Sequence, residues 1–114
     1  MGAREERLAG NEALFREVNE RVAEVATQFI EVEPHSEPVD FTCECGRADC
    51  VQPSAMTAAE YEAIRAEPTC FAVVPGHEQL EIETVVERHP TYLVVDKRDE
   101  DAQEVARETD PRQS

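Results

Sequence analysis

The stretch DFTCECGRADC, residues 40–50, constrains this chain more than any other. Three of the four cysteines, Cys43, Cys45 and Cys50, fall within it. Cys43 and Cys45 are two residues apart. In an extended segment such residues point the same way, so both sulfurs can face one point. Gly46 follows at once, and a glycine can take a positive φ and fold the chain back. That turn carries Cys50 toward the same point. Backbone N–H groups in such a turn can aim at thiolate sulfur as they do at other anions. The segment therefore reads as a loop that gathers soft donors around one ion.

Three thiolates leave one corner of the tetrahedron that structural zinc prefers. His77 follows the Pro75-Gly76 turn, where the backbone can aim its imidazole. Cys70 opens the run CFAVV and suits a small buried apolar position. The expected zinc site is Cys43, Cys45, Cys50 and His77, with Cys70 as the alternative fourth ligand. The Cys-x-Cys-x4-Cys spacing matches neither common ferredoxin pattern, which disfavours an iron–sulfur cluster. GHEQLEIE lacks the second histidine of His-Glu-x-x-His, since Glu81 stands there, and the metalloprotease reading fails. A vacant fourth position would reopen a Lewis-acid role, with Glu44, Asp49 and Glu78 as the carboxylates nearby in sequence. A nucleophile built from Cys70 with His77 or His89 lacks an activating environment, because local acid raises a thiol pKa. His35 reads as a solvated loop residue and His89 as part of a hairpin turn.

With 114 residues, one domain is the default, and its core is thin: there is no tryptophan and aromatics make up 5%. A metal staple matters most in such a chain. The fold class expected is α+β: a long N-terminal helix, then a small antiparallel sheet with one or two short helices and the cysteine loop. Residues 1–32 form the helix, 33–40 a linker, 41–109 the metal-stapled domain and 110–114 a fraying tail. In the helix, Leu8, Asn11, Phe15, Val18, Val22, Val25 and Phe29 recur at gaps of three and four, as in a heptad seam. Such a seam can pack on its own domain, pair with a second copy, or bind a partner, with Asn11 setting register between copies. A strand is expected over 39–43. Thr57 with Glu60 forms a capping box for a helix that buries Tyr61 and Ile64 and stops before Pro68. A strand follows at CFAVV, then two strands joined at His89-Pro90-Thr91, then a short helix with Ala102, Val105 and Ala106 on one side.

Net charge is −15, from 26 acidic and 11 basic residues. This makes nucleic acid an unlikely partner, since binding it requires a basic footprint. An anionic membrane surface is disfavoured for the same reason. The start, MGAREERLAG, shows no signal-peptide pattern, and Glu6 breaks the myristoylation pattern. No run of about 20 apolar residues marks a membrane span. A cytoplasmic protein with reduced thiols is expected.

Several segments together resemble a group of small, acidic actinobacterial proteins that carry no assigned activity. They are REERLAGNEALFREVNERV, FTCECGRADC, TAAEYEAIRAEPTCFAVVPGHE, VVERHPTYLVVDK and the closing ARETDP. The resemblance spans most of the chain. It implies a bacterial cytosolic protein, and it implies that the cysteine loop and the Pro-Gly-His-Glu turn form one unit. It transfers no mechanism. The function expected is a non-enzymatic interaction or regulatory protein with a structural zinc site and a helix for self-association or partner binding. The alternatives are an enzyme using an open metal site or reactive cysteine, and an acidic nucleic-acid mimic that binds a basic protein surface.

Overall fold

The computed structural model describes residues 3–29, 38–47, 49–50, 52–98 and 100–112; within the first helix the side chains at 4–6 and 26–29 are left aside. His35 and most of the expected linker lie outside the described residues. The elements are α1 (Ala3–Phe29), β1 (Val39–Thr42), β2 (Pro53–Met56), α2 (Ala58–Arg65), β3 (Cys70–Val73), β4 (Glu83–Arg88), β5 (Leu93–Lys97) and α3 (Glu100–Glu108). This is the α+β class, with two antiparallel sheets. β1 pairs with β2, and a second sheet runs in the order β3-β5-β4. No helix among the described residues is long and apolar enough to cross a membrane.

The β3–β5 pair is the centre of the molecule. Side chains alternate across a strand, and here both faces are covered. Cys70, Ala72 and Val94 pack with Phe41, Met56, Tyr61, Ile64 and Tyr92. Phe71, Val73, Leu93 and Val95 pack with Cys43, Cys45 and Ala106. The ring of Phe41 stacks on Tyr61 at 4.6 Å. The capping box forms as the sequence predicts: the Glu60 N–H donates to Thr57 Oγ1 at 3.1 Å, and the Thr57 N–H donates to Glu60 Oε1 at 2.8 Å. In α3, Ala102 and Ala106 are buried.

The strand expected over 39–43 forms as β1, which overlaps the end of the expected linker. Two features depart from the sequence reading. Pro53–Met56, which carries no strand signal, forms β2 by pairing with β1, with Val39 opposite Met56 and Thr42 opposite Pro53. The described part of the expected tail, through Arg112, is tied down: Asp110 pairs with Arg65, and Arg112 pairs with Glu20 and Glu62.

Helix α1 packs against β1, α2 and α3, and its inward face is unexpected. The buried residues are Leu8, Ala9, Glu12, Arg16, Asn19 and Ala23. All but Leu8 sit one position after a seam residue, which at 3.6 residues per turn is a rotation of about 100°. The apolar stripe is turned aside, so Val18 is 43% exposed and Val25 53% exposed. Phe15 and Val22 are only partly buried.

Polar groups therefore fill the centre. The Lys97 ammonium donates to Glu12 and, at 2.7 Å, to Glu83, and all three residues are buried. The Arg16 guanidinium donates to the carbonyls of Pro68 and Ala106. Arg16 and Lys97 lie over the ring of Phe71, at 4.4 and 4.8 Å from its centroid. Burial pushes the Glu12 carboxyl well above its ordinary range, against the pull of Lys97. One ammonium thus faces two carboxylates. Removing it leaves both buried without their cation, although the Gln79 N–H still donates to Glu83, so Lys97→Met is expected to cost about 3–5 kcal/mol. Glu12→Gln leaves Lys97 with Glu83 and removes the surplus charge, and it is expected to cost much less. Urea melts of the two variants check this, and equal losses would refute it.

Candidate metal centre

β1 runs straight into the cysteine loop, and α1 fixes the junction. The Thr42 N–H donates to Asn19 Oδ1 and the Asn19 amide donates to the Thr42 carbonyl, both at 2.7 Å. The Glu44 N–H donates to the Ala72 carbonyl at 2.8 Å, which lays the loop along β3. Gly46 has φ +80° and turns the chain, and its carbonyl accepts from the Asn11 amide at 2.8 Å. The Cys50 N–H closes back on the Arg47 carbonyl at 3.0 Å. From the other side, β3 ends in a turn where the His77 N–H donates to the Val74 carbonyl at 2.9 Å. Gly76, at φ +95°, permits that turn, and its N–H is held by Glu78 Oε1 at 2.8 Å.

These two turns bring four donors together. The sulfurs of Cys43, Cys45 and Cys50 and a ring nitrogen of His77 all lie within 4.8 Å of one another. His77 Nδ1 is 3.6 Å from the Cys43 sulfur and 3.5 Å from the Cys50 sulfur. The arrangement is compatible with a metal site. Cys43 and Cys45 are fully buried, while Cys50 and His77 are partly buried. Cys50 and His77 border a cleft of about 220 Å³ with Arg47, Asp49 and Gln52. All four cysteines are free thiols.

The electrostatics concentrate negative charge at one sulfur. Hydrogen bonding from Cys43 brings the Cys45 thiol down to about 5 against the cost of burial, helped by the Arg47 N–H, His77 and Cys50. Cys43 is pushed up, first by its hydrogen bond with Cys45 and then by burial; the Val74 N–H, 3.1 Å from its sulfur, opposes this. Burial raises Cys50 as well. Three thiolates this close repel one another. A bound cation would remove that repulsion, and a metal bound by thiols takes them as thiolates.

Cys70, the alternative fourth ligand, is not in the cluster. Strand alternation turns it onto the Phe41–Tyr61 face, opposite the face that meets Cys43 and Cys45. Its thiol is pushed up to about 12 by burial and by Asp96, Glu67 and Glu87. His89 stacks on Tyr92 at 4.3 Å and contacts Glu87, as suits a hairpin residue.

The residues that support the loop carry no such signal in the sequence. Glu44, between two of the cysteines, is fully buried and turned away from them. Its carboxylate accepts from the Asn19 amide at 2.8 Å, the Tyr61 hydroxyl at 2.9 Å and the Ala72 N–H at 2.9 Å. Asn11, expected to set register between helices, instead binds the Gly46 turn. An acid or an amide in a polar stretch carries no signal that it will be buried. In comparisons with protein-family models, curated proteins and solved structures, nothing matches this chain.

The two glycines make a controlled comparison. Both need a positive φ, which disfavours any side chain. A Cβ on Gly46 would also lie 2.7 Å from the Leu8 carbonyl oxygen, whereas one on Gly76 meets nothing within 4 Å. Gly76→Ala is expected to cost about 1–2 kcal/mol. Gly46→Ala is expected to cost more, because the α1 backbone must move. Thermal melts that rank them the other way would contradict this packing.

Proposed function

We propose that this protein is a non-enzymatic interaction or regulatory protein built on a structural zinc site, with Cys43, Cys45, Cys50 and His77 as the ligands. The separation of the donors carries this reading. Zinc bonds of about 2.3 Å to sulfur and 2.0–2.1 Å to nitrogen, at tetrahedral angles, set a sulfur–nitrogen edge of about 3.6 Å. The two sulfur–nitrogen distances here are 3.6 and 3.5 Å. Thiolate and imidazole donors in a tetrahedron suit zinc over harder cations that prefer oxygen.

When bound, zinc would supply a charge-neutralising cross-link between the β1–β2 loop and the β3–β4 turn. Four protein donors leave no corner for water, which favours a structural role over hydrolysis. Two of the three carboxylates that an open site could have used support the same choice, while Asp49 borders the cleft beside Cys50 and His77. Glu44 is committed to the core, and Glu78 to the Gly76 N–H.

The interaction half of the proposal is supported by α1. Leu14, Val18 and Val25 are exposed along its outer side, at 54%, 43% and 53%. A protein partner or a second copy would cover them. The resemblance to small actinobacterial proteins fits a cytoplasmic setting.

Protein purified without added metal is expected to carry one zinc per chain, by elemental analysis and native mass spectrometry. A chelator should speed alkylation of Cys43, Cys45 and Cys50, with Cys70 the slowest throughout. Material free of stoichiometric metal, with a folded state indifferent to chelator, would overturn the reading. Replacing Val18 with Asp is expected to weaken any assembly seen in the native mass without changing the zinc content.

A further inference from the structure

We infer that Glu12 of α1 holds a proton in the folded chain, shared with Glu83 of β4 beside the Lys97 ammonium, so that folding takes up one proton at this site. None of the three residues is a proposed zinc ligand.

The charges in this cluster do not balance by themselves. Glu12, Glu83 and Lys97 are 0%, 0% and 2% exposed. Lys97 donates to both carboxyl groups. Fully ionised, the three would carry two negative charges and one positive. A net charge shut away from water is costly, and two carboxylates that share one site do not both ionise easily. One added proton makes the cluster neutral.

The hydrogen bonds indicate which carboxyl takes it. Both oxygens of Glu83 meet donors: Lys97 at Oε1, 2.7 Å away, and the Gln79 N–H at Oε2, 2.9 Å away. Donors on both oxygens favour the ionised form. Glu12 accepts from Lys97 through Oε1, while its Oε2 is buried with no partner among the described residues. As an anion, Glu12 would keep charge on an oxygen that no donor meets. As an acid, it has Glu83 within hydrogen-bond reach to accept its proton.

The elements around Glu12 do little to hold the anion. β3 presents the ring of Phe71, over which Lys97 lies. The cysteine loop presents the Gly46 backbone, and α3 buries Ala102 and Ala106. Arg16, one turn along α1, donates to the Pro68 and Ala106 carbonyls and stands among Arg65, Glu44, Asp110 and Tyr61. α2 and β1 meet α1 further along, through Arg65 with Glu20 and Thr42 with Asn19. Burial and Glu83 accordingly raise the Glu12 carboxyl, and Lys97 opposes them.

The proton gives the fold a pH dependence of definite sign. In the unfolded chain Glu12 titrates near its ordinary value, about 4.3. Between that value and the raised folded one, the folded chain holds one proton more than the unfolded chain. The contribution is full below the unfolded value and fades as pH rises toward the folded one. A buried carboxylate in a simple ion pair behaves in the opposite way, because acid breaks it. The contact that ties α1 to β4 and β5 is weakened by alkali instead.

Carboxyl-carbon NMR of the full chain, followed against pH, tests this. Glu12 is expected to titrate well above the ordinary glutamate range, with Glu83 ionised throughout about pH 6–8. Titration of Glu12 in the ordinary range, or a proton found on Glu83 in its place, would overturn the assignment. Urea melts give a second readout. The unfolding constant of the wild type divided by that of Glu12→Gln is expected to rise about tenfold per pH unit from about pH 5 up to the folded value. Glutamine has no proton to release there, and the other acids cancel in the ratio. A ratio that stays flat from about pH 5 to 8 would count against the bound proton. Glu83→Gln leaves Lys97 to Glu12 alone, so the Glu12 carboxyl is expected to be ionised at about pH 7 in that variant. A Glu12 that stays protonated there would refute the sharing with Glu83.

Discussion

Glu44 places one carboxylate where three elements meet. Asn19 of α1, Tyr61 of α2 and the Ala72 N–H of β3 all donate to it, and it is fully buried. A carboxylate so enclosed is tolerated because its lone pairs are satisfied by donors held in place. Burial still pushes its pKa up, and the three donors and Arg16 oppose that. The consequence reaches the cysteines directly. Adjacent residues of an extended chain point to opposite sides, so fixing Glu44 into the core turns Cys43 and Cys45 together toward His77. The candidate metal centre is the other side of the same short segment.

The interior follows a related logic. In a chain of net charge −15, three of the cationic side chains, Arg16, Arg65 and Lys97, are buried. Each is matched by carbonyls or carboxylates from distant parts of the sequence: Arg16 by Pro68 and Ala106, Arg65 by Glu20 and Asp110, Lys97 by Glu12 and Glu83. Such pairs add little net stability over apolar packing of the same volume, yet breaking one is costly. They favour one register of α1 on the body over others, which a thin apolar core could not do.

Much of the local structure was legible because it depends on neighbours in sequence. The capping box of Thr57 and Glu60, the turns at Gly46 and Gly76, and the hairpin between β4 and β5 each rest on a few adjacent residues. The choice of His77 was legible for a chemical reason: a turn can aim an imidazole, while a cysteine inside an apolar run belongs to a core. β2 was not legible, because Pro53, Ser54 and Ala55 have no preference for strand and are drawn into it by pairing with β1. The inward face of α1 was misjudged because hydrophobic periodicity finds apolar faces, and this helix buries a polar one.

The sequence by itself therefore determined the α+β class, the spacing that lets Cys43, Cys45 and Cys50 converge, and the turn that aims His77. All of these are set by backbone geometry over a few residues. Tertiary structure alone decided which side of α1 faces inward, that Glu44 is buried, and that Cys70 lies on the wrong side of its strand to be a ligand. The reason is that burial of a polar or charged group depends on whether distant segments supply its partners, and no local pattern records where those partners will be.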